Sequence, residues 1–317
     1  MDQKRHTEEH MIQQVKSPVV FIIYNRPDTT QKVFEKISRF KPSTLLVIAD
    51  GPRPDRREDR DLCVKTRSII DGINWKCTLL KNFSDQNLGC KDRVSSGLTW
   101  AFKQVEEAII LEDDVLPSDS FFPYCDELLD KYRNDTRLMM ISGTQFYPAN
   151  IRGGYSYCFS KWSQIWGWAS WRRAWNTYDA GLSSWPLFKS EGQLKNAGLD
   201  LKSCMYWTRI LDKMHRGAVD TWDHQWSFNM LSHGGLAIQP KINLITNIGF
   251  GTGATHTKVV NRYANMRREE LNFPLKHPVF VLPDKSIDQA IKKRTQGFLY
   301  KIFNSTRVFF ASRLLGR

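Results

Sequence analysis

Three consecutive acidic residues directly follow an apolar segment of this 317-residue chain. In AIILEDDVLPS the apolar run ends at Glu112, Asp113 and Asp114. A buried strand that carries three carboxylates to its carboxyl end creates a negative cluster. A hard divalent cation neutralises such a cluster, and a diphosphate completes its ligands. The pattern predicts a metal–diphosphate site with Mn²⁺ or Mg²⁺. The alternative is an acidic loop in which Ser118 or Asp119 caps the following helix.

One histidine has a setting that suits a further metal ligand. His256 follows a glycine-rich stretch in NIGFGTGATHT and lies among small polar residues. A neutral imidazole on a loop can fill an open position on a metal ion, although a single histidine also often has a purely structural role. The six cysteines are never closer than thirteen positions, so a CxxC zinc or redox motif is excluded.

A second acidic group lies among tryptophans in VDTWDHQW. Asp223, beside aromatic side chains in a partly dry pocket, is a candidate general base for deprotonating a hydroxyl. Asp220 and His224 are the alternative candidates for that role. The competing interpretation is a helix start that Asp220 or Thr221 caps, with the tryptophans in the core.

The elements that must position these residues show an alternating pattern from residue 17 to about residue 112. The apolar runs PVVFIIY, TLLVIAD, KCTLL and AIILEDD alternate with helical patterns at Thr29 to Phe40, at a charged stretch up to Ile70, and at Arg93 to Val105. This alternation predicts an α/β fold with a Rossmann-like, mostly parallel central sheet that helices flank.

Ligands of open parallel sheets bind at the carboxyl ends of the strands. Two further strand ends carry polar residues, namely Asn25 with Arg26 and Asp50 with Gly51. Arg26 suits a phosphate, and Asp50 suits a nucleobase or a ribose. Both sequences, YNRPD and ADGP, are also ordinary turn sequences.

The second half of the chain is less regular. A helix is predicted from Phe121 to Tyr132 and a strand from Leu138 to Ser142, and five tryptophans follow in KWSQIWGWASWRRAW. Trp168, Trp171 and Trp175 have helical spacing, which favours core packing, although flat aromatic faces also stack on sugar rings.

No repeat or linker divides the chain, so we expect one domain. Its predicted bounds are 17–285, with a nucleotide-binding half at 17–114 and an acceptor half at 115–285, between a polar tail at 1–16 and a basic tail at 286–317.

The net charge of +13 is concentrated at the end of the chain. Residues 289–317 hold seven basic residues and no acidic one, and their apolar residues recur at helical spacing. This pattern is typical of an amphipathic helix on an anionic membrane surface, and a helix packed on the domain is the alternative. The polar N-terminus lacks the apolar region of a secretory signal, and no run reaches the ~20 apolar residues of a spanning helix. We therefore expect a cytoplasmic protein, peripherally associated with the inner face of the cell membrane.

Taken in order, these motifs resemble GT-A-fold glycosyltransferases that use nucleotide-activated sugars. More narrowly, the chain is similar to a bacterial relative of the N-acetylglucosaminyltransferase I type, in a layout shared with family 2 glycosyltransferases. The motifs span about Pro18 to Thr257 and are VVFIIYNRPDTTQKVFEKI, IADGPRPD, Asn87-Leu88-Gly89, AIILEDDVLPSDSFFPYCDELLDKY, ISGTQFY, WGWASWRRAW, VDTWDHQW and NIGFGTGATHT.

The resemblance implies a role for each matching residue of the donor site. Asp50 would contact the nucleobase, Arg26 the diphosphate, and Glu112 and Asp113 the ribose or the donor sugar. Asp114 would bind Mn²⁺ or Mg²⁺. The remaining residues of the implied donor and metal site are Asn25, Trp166, Gly167, Trp168 and the metal-binding His256.

Asp223 stands where the family has its catalytic carboxylate. The family shows two adjacent acids at this point, whereas this chain has Asp223-His224, so Asp220 and His224 stay open as alternatives. The expected reaction moves a sugar from a nucleotide diphosphate, UDP by resemblance, to a hydroxyl of a glycan or lipid-linked acceptor. We expect inversion at the anomeric carbon, and the residues leave a retaining outcome open.

Two other functions are compatible with part of the sequence. A sugar-phosphate nucleotidyltransferase would carry a glycine-rich phosphate loop after the first strand, but that loop reads YNRPDTT and contains no glycine. A non-enzymatic protein that binds anionic lipid or nucleic acid would spread its basic residues over the fold. Here seven of the excess charges lie in the tail, which favours membrane attachment, and no nucleic-acid partner is expected.

Overall fold

The computed structural model describes residues 14–146, 152–250 and 265–293. The first half alternates strands and helices. They are β1 (Val19–Ile23), α1 (Pro27–Phe40), β2 (Thr44–Ala49), α2 (Arg57–Ser68), β3 (Thr78–Phe83), α3 (Gly89–Gln104) and β4 (Glu107–Glu112), with a 3₁₀ turn at Ile69–Gly72. The strands form from short apolar runs rich in β-branched residues, and all five residues of β1 are buried.

The second half mixes short strands with helices. They are β5 (Val115–Pro117), α4 (Phe121–Lys131), β6 (Leu138–Ser142), β7 (Tyr157–Ser160), β8 (Trp168–Trp171), α5 (Arg172–Trp175), α6 (Trp185–Ser190), α7 (Gln193–Asn196), α8 (Leu201–His215), α9 (Asp223–Ser232), β9 (Leu236–Pro240) and β10 (Ile245–Asn247), with a 3₁₀ turn at Arg152–Gly154. A further helix covers residues 285–293.

Eight strands form one sheet in the order β3-β2-β1-β4-β8-β6-β9-β7. The pairs β1–β2, β1–β4, β2–β3 and β6–β9 are parallel, whereas β8 runs antiparallel to β4 and β6, and β7 runs antiparallel to β9. The predicted α/β class with a mostly parallel sheet is therefore confirmed, and β8 and β7 are its antiparallel strands. The strands β5 and β10 pair separately in an antiparallel ribbon.

Two apolar layers cover the faces of the sheet. On one face, Val19, Phe21 and Ile23 of β1 join α1 and α4, and on the other, Val20 and Ile22 join α3, α5 and α9. This alternation follows from the two-residue period of a strand. A smaller cluster joins α6, α7 and α8 to the outer side of α9. The carboxyl ends of the parallel strands β1, β2, β3 and β4 therefore lie together at one edge of the sheet.

The tryptophan-rich segment packs in the core, but not as a helix. Trp168 and Trp171 are the ends of β8 and lie on opposite faces of the sheet, and Trp175 belongs to the short α5. The expected core packing is confirmed, whereas the helical interpretation of their spacing was wrong. The spacing misled because a strand of four residues and a helix turn of four residues meet at Trp171 and Arg172.

The two ends of the chain are only partly described. Val15 is buried in the core beside α1, although it lies within the segment expected to be a polar tail. Most of the basic tail, residues 294–317, lies outside the described residues, and its first part belongs to the helix over 285–293, where Ile287 and Ile291 are buried against Cys158. Among the described residues, the helices are too short or too polar to cross a bilayer.

Candidate functional site

The acidic triplet lies at the carboxyl end of β4, as expected, and the first residue after β1 reaches it. Asp113 is 2 % exposed and accepts a hydrogen bond of 3.0 Å from the backbone N–H of Tyr24. Arg26 forms ion pairs with Asp113 and, at 2.9 Å, with Asp114. The adjacent parallel strands β1 and β4 therefore bring together residues that are almost ninety positions apart.

Arg26 is held in place by the start of α1. Its carbonyl accepts hydrogen bonds from the backbone N–H and the hydroxyl of Thr30, and Pro27 occupies the first helical position. Burial lowers the pKa of Arg26, but Asp113 and Asp114 more than offset this and raise it, so the guanidinium stays charged. Its Nε is buried and has no hydrogen-bond partner among the described residues.

The carboxylates of the triplet differ in their surroundings. Burial, followed by the charges of Asp114 and Asp113, raises the pKa of Glu112 well above its usual range. Burial also raises the pKa of Asp113, although Arg26 opposes this change. A cluster in which ionisation is this costly favours a cation beside it.

The ribbon of β5 and β10 brings a distant glycine against Asp114. The Asp114 carbonyl accepts a hydrogen bond of 2.8 Å from the N–H of Ile248. A Cβ at Gly249 would lie 2.0 Å from Oδ2 of Asp114, so only glycine fits here. The glycine-rich motif therefore does meet the acidic triplet, although its His256 lies outside the described residues.

Asp50 organises the loop before α3. Its carboxylate accepts hydrogen bonds from the backbone N–H groups of Gly51, Leu88 and Gly89, at 2.9–3.1 Å, and from the side chain of Asn87 at 2.9 Å. Burial raises the pKa of this carboxyl, and the backbone N–H groups oppose the change. The structure thus gives Asp50 four donors from the protein itself, and its contact with a nucleobase stays a prediction.

A buried carboxylate that no sequence pattern indicates lies close to this loop. Asp59 is 1 % exposed and binds the hydroxyl of Tyr24, the amide of Asn25 and the guanidinium of Arg53. Arg53 lowers the pKa of Asp59 more than burial raises it. Asp59 therefore holds in place the residues that follow β1 and β2. Its sequence context, RREDRD, is typical of a solvent-exposed helix face and gives no sign of this burial.

The Asp220 side chain contacts the N-terminus of α3. It does not cap α9, which was the competing interpretation of this motif. Its carboxylate accepts hydrogen bonds from the N–H groups of Cys90 at 2.9 Å and Lys91 at 2.7 Å. Gly89, with φ of 79°, leaves room for it, because a Cβ there would lie 2.8 Å from Asp220 Oδ2. Asp220 therefore connects the loop before α9 to α3.

Asp223 opens α9 and is paired with its neighbour. Its Oδ1 accepts hydrogen bonds from the hydroxyl of Thr221 and, at 3.0 Å, from Nδ1 of His224. Burial would raise the pKa of Asp223, but His224 and Thr221 outweigh it and hold that pKa below its usual range. Burial likewise lowers the pKa of His224, but Asp223 reverses this and raises it. Both side chains are about one-third exposed.

The two acidic groups lie within electrostatic range of each other. Asp223 contributes to the raised pKa of Glu112, and Glu112, Asp220 and Asp223 all add to the effect of burial in raising the pKa of Cys90.

The tryptophans predicted at the donor pocket have different positions. Trp166 is half-buried and makes edge contacts with Phe146 and Phe250. Trp168 is only 1 % exposed and stacks on Trp222 with ring centroids 5.6 Å apart.

Gly167, between these two tryptophans, has φ of 59°, and its carbonyl accepts a hydrogen bond from the N–H of Gly143. Trp166 is thus partly exposed, whereas Trp168 belongs to the core.

The side chains around Asp114 suit a metal ion that binds to few protein groups and mainly to its ligand. Within residues 14–146, 152–250 and 265–293, no group of three or more His, Cys, Asp or Glu side chains converges as a metal cage. Among those residues, only Arg26 donates a hydrogen bond to the Asp114 carboxylate. A hard cation that takes one carboxylate and several phosphate oxygens fits this arrangement.

Comparison with known proteins gives no family for the chain. No family model and no curated protein matches its sequence. Among solved structures, similar ones include Staphylococcus aureus TarS 1–349, with 13% identity and a TM-score of 0.35 over 49% of this chain and 47% of that one. Another is GalNAc-T7 with UDP, GalNAc and Mn²⁺, with 9% identity and a TM-score of 0.41 over 72% of this chain and 43% of that one.

A third similar structure is the apo form of mouse xyloside xylosyltransferase 1, with 8% identity and a TM-score of 0.32 over 68% of this chain and 82% of that one. The chain spans less than half the length of the first two structures. What the protein does must therefore be argued from the residues of its own site.

Proposed function

We propose that the protein is a metal-dependent glycosyltransferase that moves a sugar from a nucleotide diphosphate donor to a hydroxyl of a glycan or lipid-linked acceptor. The observation that supports this most directly is that adjacent strands β1 and β4 bring Arg26 into ion pairs with Asp113 and Asp114 at one edge of the sheet. Glu112 and Asp113 belong to a buried cluster that disfavours ionisation, whereas Asp223 is held ionised by His224. One group suits a cationic donor complex, and the other suits a base.

The donor side of the proposed site is the edge formed by β1, β2 and β4. Arg26 is charged, 23% exposed and fixed beside Asp113 and Asp114, so it can donate to a diphosphate oxygen. In the proposal, Asn25 and Asp50 face the nucleoside, and Trp166 with Gly167 borders the donor sugar. Trp168 supports that border from the core.

A divalent cation, when bound, would neutralise the charge of the departing nucleotide diphosphate, and Asp114 with His256 would hold it. Asp114 is prepared for this role because the N–H of Ile248 holds its carbonyl and Gly249 lies against its side chain. Arg26 holds the same carboxylate at 2.9 Å and so orients it. Mn²⁺ and Mg²⁺ both suit these oxygen ligands.

On the acceptor side, Asp223 is the proposed base. Thr221 and His224 fix its Oδ1, so the carboxylate has a defined direction, and its lowered pKa keeps it ionised. It would take the proton of the acceptor hydroxyl as that oxygen attacks the anomeric carbon, which inverts the configuration. Asp220 accepts hydrogen bonds from the N-terminus of α3, so in the proposal it supports this loop.

Donor binding can be tested by thermal unfolding with a panel of UDP-, GDP- and dTDP-sugars, with Mn²⁺ or with a chelator. We expect one nucleotide class, UDP in our proposal, to raise the unfolding temperature only with metal, and Asp114→Ala to abolish the increase. Asp119→Ala is the matched control, because Asp119 is a nearby acid that pairs with Lys36 and Arg39 outside the site. A folded protein that no nucleotide sugar stabilises would contradict the proposal.

The base is tested separately. Asp223→Asn should keep metal-dependent stabilisation by the donor and lose transfer to the acceptor. The product's anomeric configuration, read by NMR, distinguishes inversion from retention. Loss of donor binding in Asp223→Asn would place this residue on the donor side and refute its assignment as base.

A further inference from the structure

Three large apolar side chains protrude from the domain close to the start of the last described helix. Val279 and Phe280 are 74% exposed and Leu282 is 69% exposed, whereas Val281 between them packs against the core. We call residues 279–282 the apolar loop. Three such side chains within four positions form an exposed apolar surface of the kind that marks an interaction site.

The loop is held at both ends by the edge strand β7 and the residue before it. The N–H of Ser156 donates to the carbonyl of Lys276 at 2.9 Å, and the N–H of Asp284 donates to the carbonyl of Phe159 at 2.8 Å. Pro283 forms a parallel bridge with Phe159. The exposure of the loop is therefore not the fraying of a chain end. The same contacts also cover part of the β7 edge, which disfavours edge-to-edge pairing with a second copy.

Exposed lysines lie on both sides of the loop. Residues 271–283 contain no acidic residue and include the exposed Lys276, and Lys285 follows. Of the acids beside this segment, Glu269 is exposed and Glu127 pairs with His277 at 3.1 Å. Glu270 accepts hydrogen bonds from the N–H groups of Asp119 and Ser120 at the start of α4, and Asp284 caps the helix over 285–293 through Ser286 and Ile287.

The same helix then leads toward the basic end of the chain. Lys285 and Lys293 are exposed on it, and Asp288 is turned inward to Ser160 and Lys161. Beyond it, residues 294–317 add five basic residues and no acid. Exposed apolar side chains that are flanked by lysines and followed by a basic stretch of sequence match the chemistry of an anionic bilayer, whose headgroups attract the lysines while the apolar groups enter the acyl boundary.

We propose that the apolar loop is a membrane-inserting element and docks the domain on an anionic lipid surface through Val279, Phe280 and Leu282. The basic chain beyond residue 288 supplies the electrostatic attraction, and the loop supplies the apolar contact. Two weak signals of this kind together give stable peripheral binding where one alone is marginal. This inference does not depend on the proposed transfer reaction.

Co-sedimentation of the full chain with vesicles tests the proposal. The vesicles contain phosphatidylcholine alone or with about 30% phosphatidylserine, close to the anionic surfaces that attract basic segments. The variant Val279→Ser/Phe280→Ser/Leu282→Ser leaves the charge unchanged and should weaken partition to the anionic vesicles at least about tenfold. Its unfolding temperature should not fall, because the replaced side chains are exposed.

The matched control is Val64→Ser. Val64 is 63% exposed on α2, which connects β2 and β3, so it lies toward the opposite edge of the sheet from β7. This variant should bind vesicles as the unchanged protein does. A second variant, Lys301→Ser/Arg307→Ser/Arg313→Ser, should reduce binding at low salt and leave the salt-resistant part that the loop supplies.

Three results would overturn the proposal. The triple loop variant could bind vesicles with unchanged affinity, or the tail variant could abolish all binding while the loop variant abolishes none. The loop variant could also convert a dimer into a monomer in sedimentation equilibrium, which would make the apolar loop a contact between copies of the chain. Because no donor or acceptor is present, failure here leaves the glycosyltransferase proposal untouched.

Discussion

Replacing Gly249 with alanine should disturb the acidic site, because the added methyl group would clash with the Asp114 side chain. The added Cβ would lie 2.0 Å from Oδ2 and 2.6 Å from Cγ of Asp114, whereas real Cβ contacts almost never fall below 3.0 Å. The carboxylate or the backbone must therefore move by about 1 Å. The backbone cannot yield freely, since the Asp114 carbonyl is bonded to Ile248 and Val115 pairs with Asn247.

The energetic cost has two parts. Overpacking of this kind typically costs about 1–3 kcal/mol. Moving the carboxylate also lengthens its 2.9 Å hydrogen bond to Arg26, and such a bond to a charged group contributes about 1.5–3 kcal/mol when buried. Because the two effects are not independent, we expect the free energy of unfolding to fall by about 2–4 kcal/mol. Metal-dependent stabilisation by the donor should also be lost.

Urea titration followed by circular dichroism measures the first effect, and thermal unfolding with donor and Mn²⁺ measures the second. Gly72→Ala is the matched control, because its Cβ would lie 3.5 Å from Phe34, an ordinary contact. Its stability should stay the same or rise by up to about 1 kcal/mol, as when glycine's freedom in the unfolded chain is reduced. Equal stability of the two alanine variants would refute the steric argument.

Three further predictions concern the residues around the two acidic groups. Asp220→Ala removes two hydrogen bonds from the N-terminus of α3 and should lower the free energy of unfolding by about 1–2 kcal/mol, with a reduced rate but an unchanged pH profile of transfer; a shifted profile would make Asp220 the base. Arg26→Lys cannot keep both ion pairs and should weaken donor binding about tenfold or more in calorimetry, whereas unchanged binding would remove Arg26 from the donor site. The Asp223–His224 pair should stabilise the fold most between about pH 4 and pH 6.5, since the pKa of Asp223 is lowered and that of His224 is raised. The difference in unfolding free energy from His224→Gln should therefore shrink as the pH rises through the His224 pKa and as it falls through the Asp223 pKa, and a difference that grows above neutral pH would contradict this sign.

Much of the first half could be predicted because its signals are local. The apolar runs before Asn25, Asp50 and Glu112 are long enough and β-branched enough to form buried strands, and helical patterns between them require parallel crossovers. Since parallel strands end at the same edge, the residues at these strand ends were expected at one edge of the sheet. The structure places β1 beside β4 and thereby joins Arg26 to Asp113 and Asp114.

The roles of the other polar residues depended on contacts between distant segments. Asp220 looks like a local helix cap, but its carboxylate reaches Cys90 and Lys91, which precede it by about 130 positions. Asp59 looks like one charge in a solvated helix, but it is buried against Tyr24 and Asn25. No local pattern distinguishes these carboxylates from their neighbours, because a hydrogen bond requires only a donor nearby in space.

The sequence by itself therefore determined the fold class, the strand ends and the presence of an acidic cluster, since the periods of apolar residues and the chain order control them. Only the tertiary structure decided which groups each carboxylate contacts. It committed Asp50 and Asp220 to backbone N–H groups, paired Asp223 with His224 and brought Gly249 against Asp114. The physical reason is that burial and pairing set the chemistry of a carboxylate, and both arise from segments that meet only when the chain has folded.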